Sequence, residues 1–171
     1  MPERVEGGEM DVETTVQWLK DRELIKEVPQ RYARGIDLID FDMVRSAFHP
    51  DCQISGTVIS GDLDPYLDWT EKELHKFDAT LHFMGNQYID LEEGADEGHI
   101  ETWAVAYHMR PEDSDVGDLI LGLHYCDDVA RFDEGWLITA RTARPQWARG
   151  AFPAPPDELK SDWHDVDIRH V

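Results

Sequence analysis
Residues 80–91, TLHFMGNQYIDL, alternate between two faces and are rich in aromatic and branched side chains, the pattern of a β-strand. The same stretch carries His82 near its start and the chain's only asparagine, Asn86. Three further strand-like segments follow: 99–110 (HIETWAVAYHMR), 119–132 (LILGLHYCDDVARF) and 136–144 (WLITARTAR). Their connections, EEGADEG, PEDSDVGD and DEG, are polar and rich in turn formers, which predicts consecutive antiparallel hairpins.

Ahead of this sheet-forming half lies a helical one. Leu24, Val28, Tyr32 and Ile36 recur at every fourth residue, and Ile25 and Ile39 widen the stripe. Helix is therefore predicted from Val12 to about Phe48, with bends possible at Pro29 and Gly35. Asp40 suits the N-cap of a short helix, FDMVRSAF, which HPDC then breaks. CQISGTVIS reads as a short strand pair or edge, and DPYLDWTEKELHKF returns to helix with Pro65 in its first turn. Helices followed by a run of antiparallel strands predict the α+β class, a strongly curved sheet wrapped around N-terminal helices.

A chain of 171 residues with 41% hydrophobic content fits a single domain able to enclose a core and a ligand cavity. The expected organisation is one domain over 1–171: a flexible N-terminus at 1–11, the α+β body at 12–147 and a proline-interrupted tail at 148–171, where Phe152 or Trp163 would cover apolar surface. Acidic residues outnumber basic ones 37 to 16, a net charge of −21 that repels phosphate backbones and anionic lipid. Nucleic acid and membrane partners are thus not expected. No apolar run approaches the ~20 residues that span a bilayer, so a soluble, cytoplasmic protein is expected. Cys52 and Cys126 lack any metal-binding or disulfide spacing, and free thiols are expected.

Strand faces locate the chemistry. In TWAVAYH one face carries Trp103, Val105 and Tyr107, and the other Thr102, Ala104, Ala106 and His108. The second is a row of small side chains ending in an imidazole, which permits either close helix packing or a cavity. In LILGLHYCD either face, Leu119–Leu121–Leu123–Tyr125–Asp127 or Ile120–Gly122–His124–Cys126, would serve as the interior. His82, His108 and His124 sit on three consecutive strands, where neighbouring positions come within side-chain reach. Metal ligation is a rival use of such histidines, but neither HxH nor HExxH occurs, and no metal or cofactor is expected. Without a metal, an imidazole base needs an acid that holds its tautomer. Asp37 is the candidate, although on an unbroken helix it lies roughly opposite the apolar stripe; a bend at Gly35, or termination before Asp37, would be needed to turn it inward.

The succession RYARGIDLIDFDMVRSAFHPDC, DATLHFMGNQYIDL, IETWAVAYH, LHYCDD and GWLITARTA, spanning roughly residues 20–147, resembles the SnoaL-like branch of the nuclear transport factor 2-like superfamily. The resemblance implies a cone-shaped α+β barrel around an apolar pocket. Within the superfamily the pattern is most similar to cofactor-independent eliminating enzymes: scytalone dehydratase, hexachlorocyclohexane dehydrochlorinase and bile acid 7α-dehydratase. On that likeness the catalytic Asp/His pair falls on Asp37 and His82, a second pocket histidine on His108, and an active-site arginine on Arg141. Tyr32, Leu121, Leu123 and Tyr125 then line the pocket, with Ala104, Ala106 and Ala143 as small wall positions. Ile36 stands where scytalone dehydratase has a tyrosine, and Leu123 and Tyr125 replace its serine and asparagine, so the substrate differs.

The implied reaction is a dehydration of a small hydrophobic hydroxylated substrate of polyketide, sterol or terpenoid type. His82 acts as base on Asp37, His108 or Tyr125 as proton donor, and Arg141 steadies negative charge. An isomerase or polyketide cyclase using the same pair, and a non-catalytic small-molecule binder, are the alternatives. The resemblance also implies self-association as a homodimer or homotrimer.

Overall fold
A computed structural model describes residues 11–161 and 169–170. The expected flexible N-terminus, apart from Asp11, and Trp163 lie outside the described residues. Helix α1 (Val12–Leu38) starts at Asp11, whose carboxylate accepts from the Glu13 and Thr14 amides. Pro29 lies inside α1, and the helix ends at Ile39 in the left-handed conformation (φ 54°). There the Ile39 amide donates to the Ile36 carbonyl and the Asp40 amide to the Gly35 carbonyl, closing the last turn. Helix α2 (Phe41–Arg45) is capped by Asp40 and so is a separate element. It packs so near α1 that a Cβ on Gly35 would lie 2.7 Å from Val44.

Strands β1 (Phe48–Ser55) and β2 (Ser60–Asp62) lead into helix α3 (Leu63–Leu74). Four long strands follow: β3 (Ala79–Asp90), β4 (Glu97–Met109), β5 (Leu119–Phe132) and β6 (Gly135–Arg149). The order is β2–β1–β6–β5–β4–β3, antiparallel throughout except for the parallel β1–β6 pair, and β7 (Arg169–His170) runs parallel to β6. The sheet is mixed and curled but unclosed, with β2 and β3 at its edges. Register shifts interrupt β3 after Met84 and β5 at Gly122 and Asp128, and such bulges add local bend and twist. No described helix is long and apolar enough to cross a membrane.

The core lies between the concave sheet face and the helices. The buried stripe of α1 is Ile25, Val28, Tyr32, Ala33 and Ile36; of the expected stripe Val28, Tyr32, Ile36 and the flanking Ile25 are covered, whereas Leu24 is 37% exposed. On β5 the buried face is Leu119, Leu121, Leu123, Tyr125 and Asp127, which resolves the choice between its two faces. The segment beyond β6 does more than drape over the surface. Ile59 pairs with Lys160, the Ser161 amide donates to the Val58 carbonyl, and Phe152 packs on the core.

Far from the mouth of the cone, Asp21 ties α1 to the β5–β6 hairpin. Arg131 donates to both its oxygens at 2.8 Å, and Gln17 and Trp136 donate as well. The Arg131 bonds, helped by those of Gln17 and Trp136, hold its pKa down at about 2. A depressed carboxylate stabilises the fold above its unfolded value near 3.8, and the contribution fades as pH falls toward 2. Asp21→Asn is expected to cost about 2–3 kcal/mol at pH 7, and the difference from wild type should shrink below pH 4 in urea unfolding.

Candidate active site
Three donors of strand β3 converge on Asp37, in the last turn of α1. The Thr80 hydroxyl donates to Oδ1 at 3.0 Å, the His82 amide to Oδ2 at 2.8 Å, and His82 Nδ1 lies 2.8 Å from Oδ1. The helix does not terminate before Asp37, because α1 runs through Leu38. At ~100° per residue Asp37 sits only ~40° beyond Ala33, whose burial extends the covered arc toward it. Strand β3 then closes the gap, bringing its inward residues over the helix end.

Burial pushes the Asp37 carboxyl up, yet the His82 ring and amide and the Thr80 hydroxyl outweigh that and leave its pKa lowered. A carboxylate accepts only, so His82 carries its proton on Nδ1 and keeps a lone pair on Nε2. The His82 side chain is 5% exposed and lines a cavity. His108 joins it there, its ring centroid 5.5 Å from that of His82 in an edge-to-face arrangement. His124 points out of the convex face, stacked on Trp103 at 4.0 Å and bonded to Glu101 at 2.9 Å. Of the three strand histidines, two therefore converge.

Desolvation, reinforced by the proximity of His82, lowers the pKa of His108 to about 4, against an opposing bond to the Leu119 backbone. His108 is therefore neutral at pH 7 and offers one donor and one acceptor nitrogen. Its buried Nδ1 has no hydrogen-bond partner among the described residues.

The cavity is lined on the sheet side by Leu119, Leu121, Leu123, Tyr125 and Ala143, and on the α1 side by Tyr32 and Ile36. Space for the centre of a water molecule totals ≈ 100 Å³, several times the ~10–15 Å³ that one water needs. One wall was not read from the sequence. Tyr66, Trp69, Thr70, Glu73, Leu74 and Phe77, along α3 and just past its end, face the cavity, as do Thr57–Ile59 and Pro153. The spacing 66, 69/70, 73/74, 77 is itself a helical face and was the available signal. The hydroxyls of Tyr125, Tyr32, Tyr66 and Thr70 interact in sequence. Burial, the largest influence on all three tyrosines, raises their pKa values, so they stay protonated.

Two expected wall residues and the expected active-site arginine do not line the cavity. Ala104 and Ala106 are buried on the inward face of β4, but their small side chains serve packing in the hydrophobic core. Arg141 is fully buried and donates Nε and Nη2 to Asp127 at 2.7 Å each. Its guanidinium sits 4.1 Å from the Tyr32 ring centroid and 4.7 Å from that of Tyr125. Burial alone would lower its pKa, but Asp127 outweighs this and raises it. Arg141 thus supports the tyrosines from behind. Asp37 likewise stands behind His82, as a positioning group outside the lining. Among the described residues no group of three or more His, Cys, Asp or Glu side chains is placed to hold a metal ion.

Residues 17–142 match the family model described as SnoaL-like domain. No curated protein matches the chain by sequence. Among solved structures, a scytalone dehydratase-like protein of Novosphingobium aromaticivorans aligns with a TM-score of 0.67 at 19% identity, over 92% of this chain and 100% of its own. Hexachlorocyclohexane dehydrochlorinase of Novosphingobium barchaimii gives 0.69 at 15% identity, over 83% and 99%. A protein of Kribbella flavida gives 0.69 at 21% identity, over 77% and 94%. At these identities the likeness establishes the fold, the nuclear transport factor 2-like cone.

A histidine with a depressed pKa stabilises the fold above its unfolded value near 6.5, and that contribution is lost as pH falls toward 4. Between pH 7 and pH 4, wild type should lose about 3 kcal/mol more stability than His108→Phe, measured by chemical denaturation at each pH.

Proposed function
The chain belongs to the SnoaL-like domain family, and from that premise we propose that it is a cofactor-independent lyase of dehydratase type. Its substrate is a compact, hydrophobic, hydroxylated molecule. The observation that carries this reading is the His82 ring, 2.8 Å from Asp37 and set in the wall of an apolar cavity. A base so placed has one tautomer and one direction of attack.

Nε2 of His82 takes a proton from carbon beside an electron-withdrawing group. The electron pair of the broken C–H bond forms the new C=C bond, and the C–O bond breaks with hydroxide as leaving group. Asp37 stabilises the imidazolium, which returns its proton to the hydroxide, so water leaves and His82 ends neutral. Tyr32, Tyr66 and Tyr125, kept protonated by burial, donate hydrogen bonds to oxygen as negative charge develops. The Nδ1 of His108 accepts a hydrogen bond from a substrate hydroxyl. Arg141 acts by holding two of the tyrosine rings. The dehydratase and dehydrochlorinase names among the structural neighbours support elimination as the outcome.

The test is mass spectrometry of small molecules carried through purification, followed by turnover of candidate hydroxylated aromatic ketones. His82→Ala is expected to lower kcat by ~10²–10⁴-fold without loss of fold, and Asp37→Asn to lower it at unchanged KM. Chelators should leave the rate unchanged; loss of turnover on chelation would overturn the reading. Proton exchange into a ketone with no alkene formed would assign an isomerase or cyclase instead.

The convex face of β3 and β4 supports self-association. Leu81, Phe83, Trp103, Tyr107 and Met109 stand there 37–65% exposed, with Leu81 opposite Tyr107 across the two strands. A contiguous apolar patch of this kind is covered by a partner more often than by water. We assign it to a homodimer or homotrimer contact, and Phe83→Glu should shift the sedimentation coefficient to that of a monomer.

A further inference from the structure
We infer that Glu73 sets the charge class of the substrate, so that the cavity accepts neutral hydroxylated molecules and rejects those bearing a carboxylate, sulfate or phosphate. The inference rests on the reading of this cavity as the substrate site. Among the described residues no lysine or arginine lines it. The Arg141 guanidinium, behind Tyr32 and Tyr125, is fully buried and spends Nε and Nη2 on Asp127; its Nη1 has no hydrogen-bond partner among the described residues but no exposed surface either, so a ligand does not reach it. An incoming anion therefore meets no free cation. The charged side chain it meets in the wall is the Glu73 carboxylate, and the Asp37 carboxylate stands behind His82.

Glu73 is an unusual wall residue. Its side chain is 15% exposed, and its carboxylate pairs with Lys76, whose own side chain is 65% exposed. The anion thus belongs to the wall and the cation to water. Solvent screens the lysine more than the carboxylate, so the field inside the cavity is negative. One partner on Lys76 leaves most of the acceptor capacity of a carboxylate unfilled. A substrate hydroxyl can fill it; a substrate carboxylate, which lacks a donor and carries like charge, cannot. Thr70, one turn away on the same wall, belongs to the tyrosine chain and adds no cation.

Isothermal titration at pH 7 with β-naphthol and β-naphthoate tests this, using the full chain in wild-type, Glu73→Gln and Lys76→Ala forms. Wild type should bind the naphthol at least tenfold more tightly than the acid. Glu73→Gln should shrink that ratio at least threefold, and Lys76→Ala, at an exposed position, should widen it. Opposite shifts in the two variants separate an electrostatic role from a packing defect, which would move both compounds together. Equal affinity for the two compounds, binding of neither, or an unchanged ratio in Glu73→Gln overturns the inference. Proton abstraction by His82 is measured by turnover and survives that result.

Discussion

One carboxylate fastens the edge of the sheet to the end of the first helix. Strand β3 has β4 on one side only, so an amide on its free edge needs a partner. Asp37 supplies it at His82, and accepts from the Thr80 hydroxyl and the His82 ring as well. The contact that blunts the edge strand is also the one that orders the imidazole. One contact thus serves both the edge amide and the imidazole, so the order of this corner and any chemistry it performs share a single carboxylate.

A second buried charge works on different terms. Arg141 and Asp127 are both 0% exposed, a pair whose desolvation is costly and whose mutual attraction must offset it. Tyr32, Phe48 and Tyr125 surround the guanidinium, within 4.1–5.1 Å of their ring centroids. Cation–π contact fixes those rings, and the two tyrosines among them reach the cavity. The cone is therefore not simply apolar. Its floor is ionic and sealed, its wall is phenolic and protonated, and the imidazoles stand at one side.

Much of this was legible in the sequence, and the limits have physical causes. The hairpins and the phase of His82 and His108 follow from period-two alternation between turn-rich connections. The β5 interior was undecided because both of its faces are apolar, and only packing against α1 selects the leucine face. Asp37 falls opposite the apolar stripe of α1 because such a stripe overlooks small residues: Ala33 and Gly35 are buried without adding to it. Arg141 and Asp127 lie 14 residues apart across a hairpin, so their pairing depends on a strand register that composition does not encode. The α3 wall mixes tyrosine, threonine and glutamate with leucine, and so reads as a weakly amphipathic surface helix rather than as the side of a cavity.

The position of Asp37 along α1 has its own consequence. Its carboxylate occupies the final turn of a 27-residue helix with no basic residue in that turn, at the end where the peptide dipoles leave partial negative charge. A helix terminus of this sign disfavours an anion and rewards a cation nearby. The three donors from β3 thus do more than orient a ring: they hold a carboxylate at a place where the helix by itself would repel one.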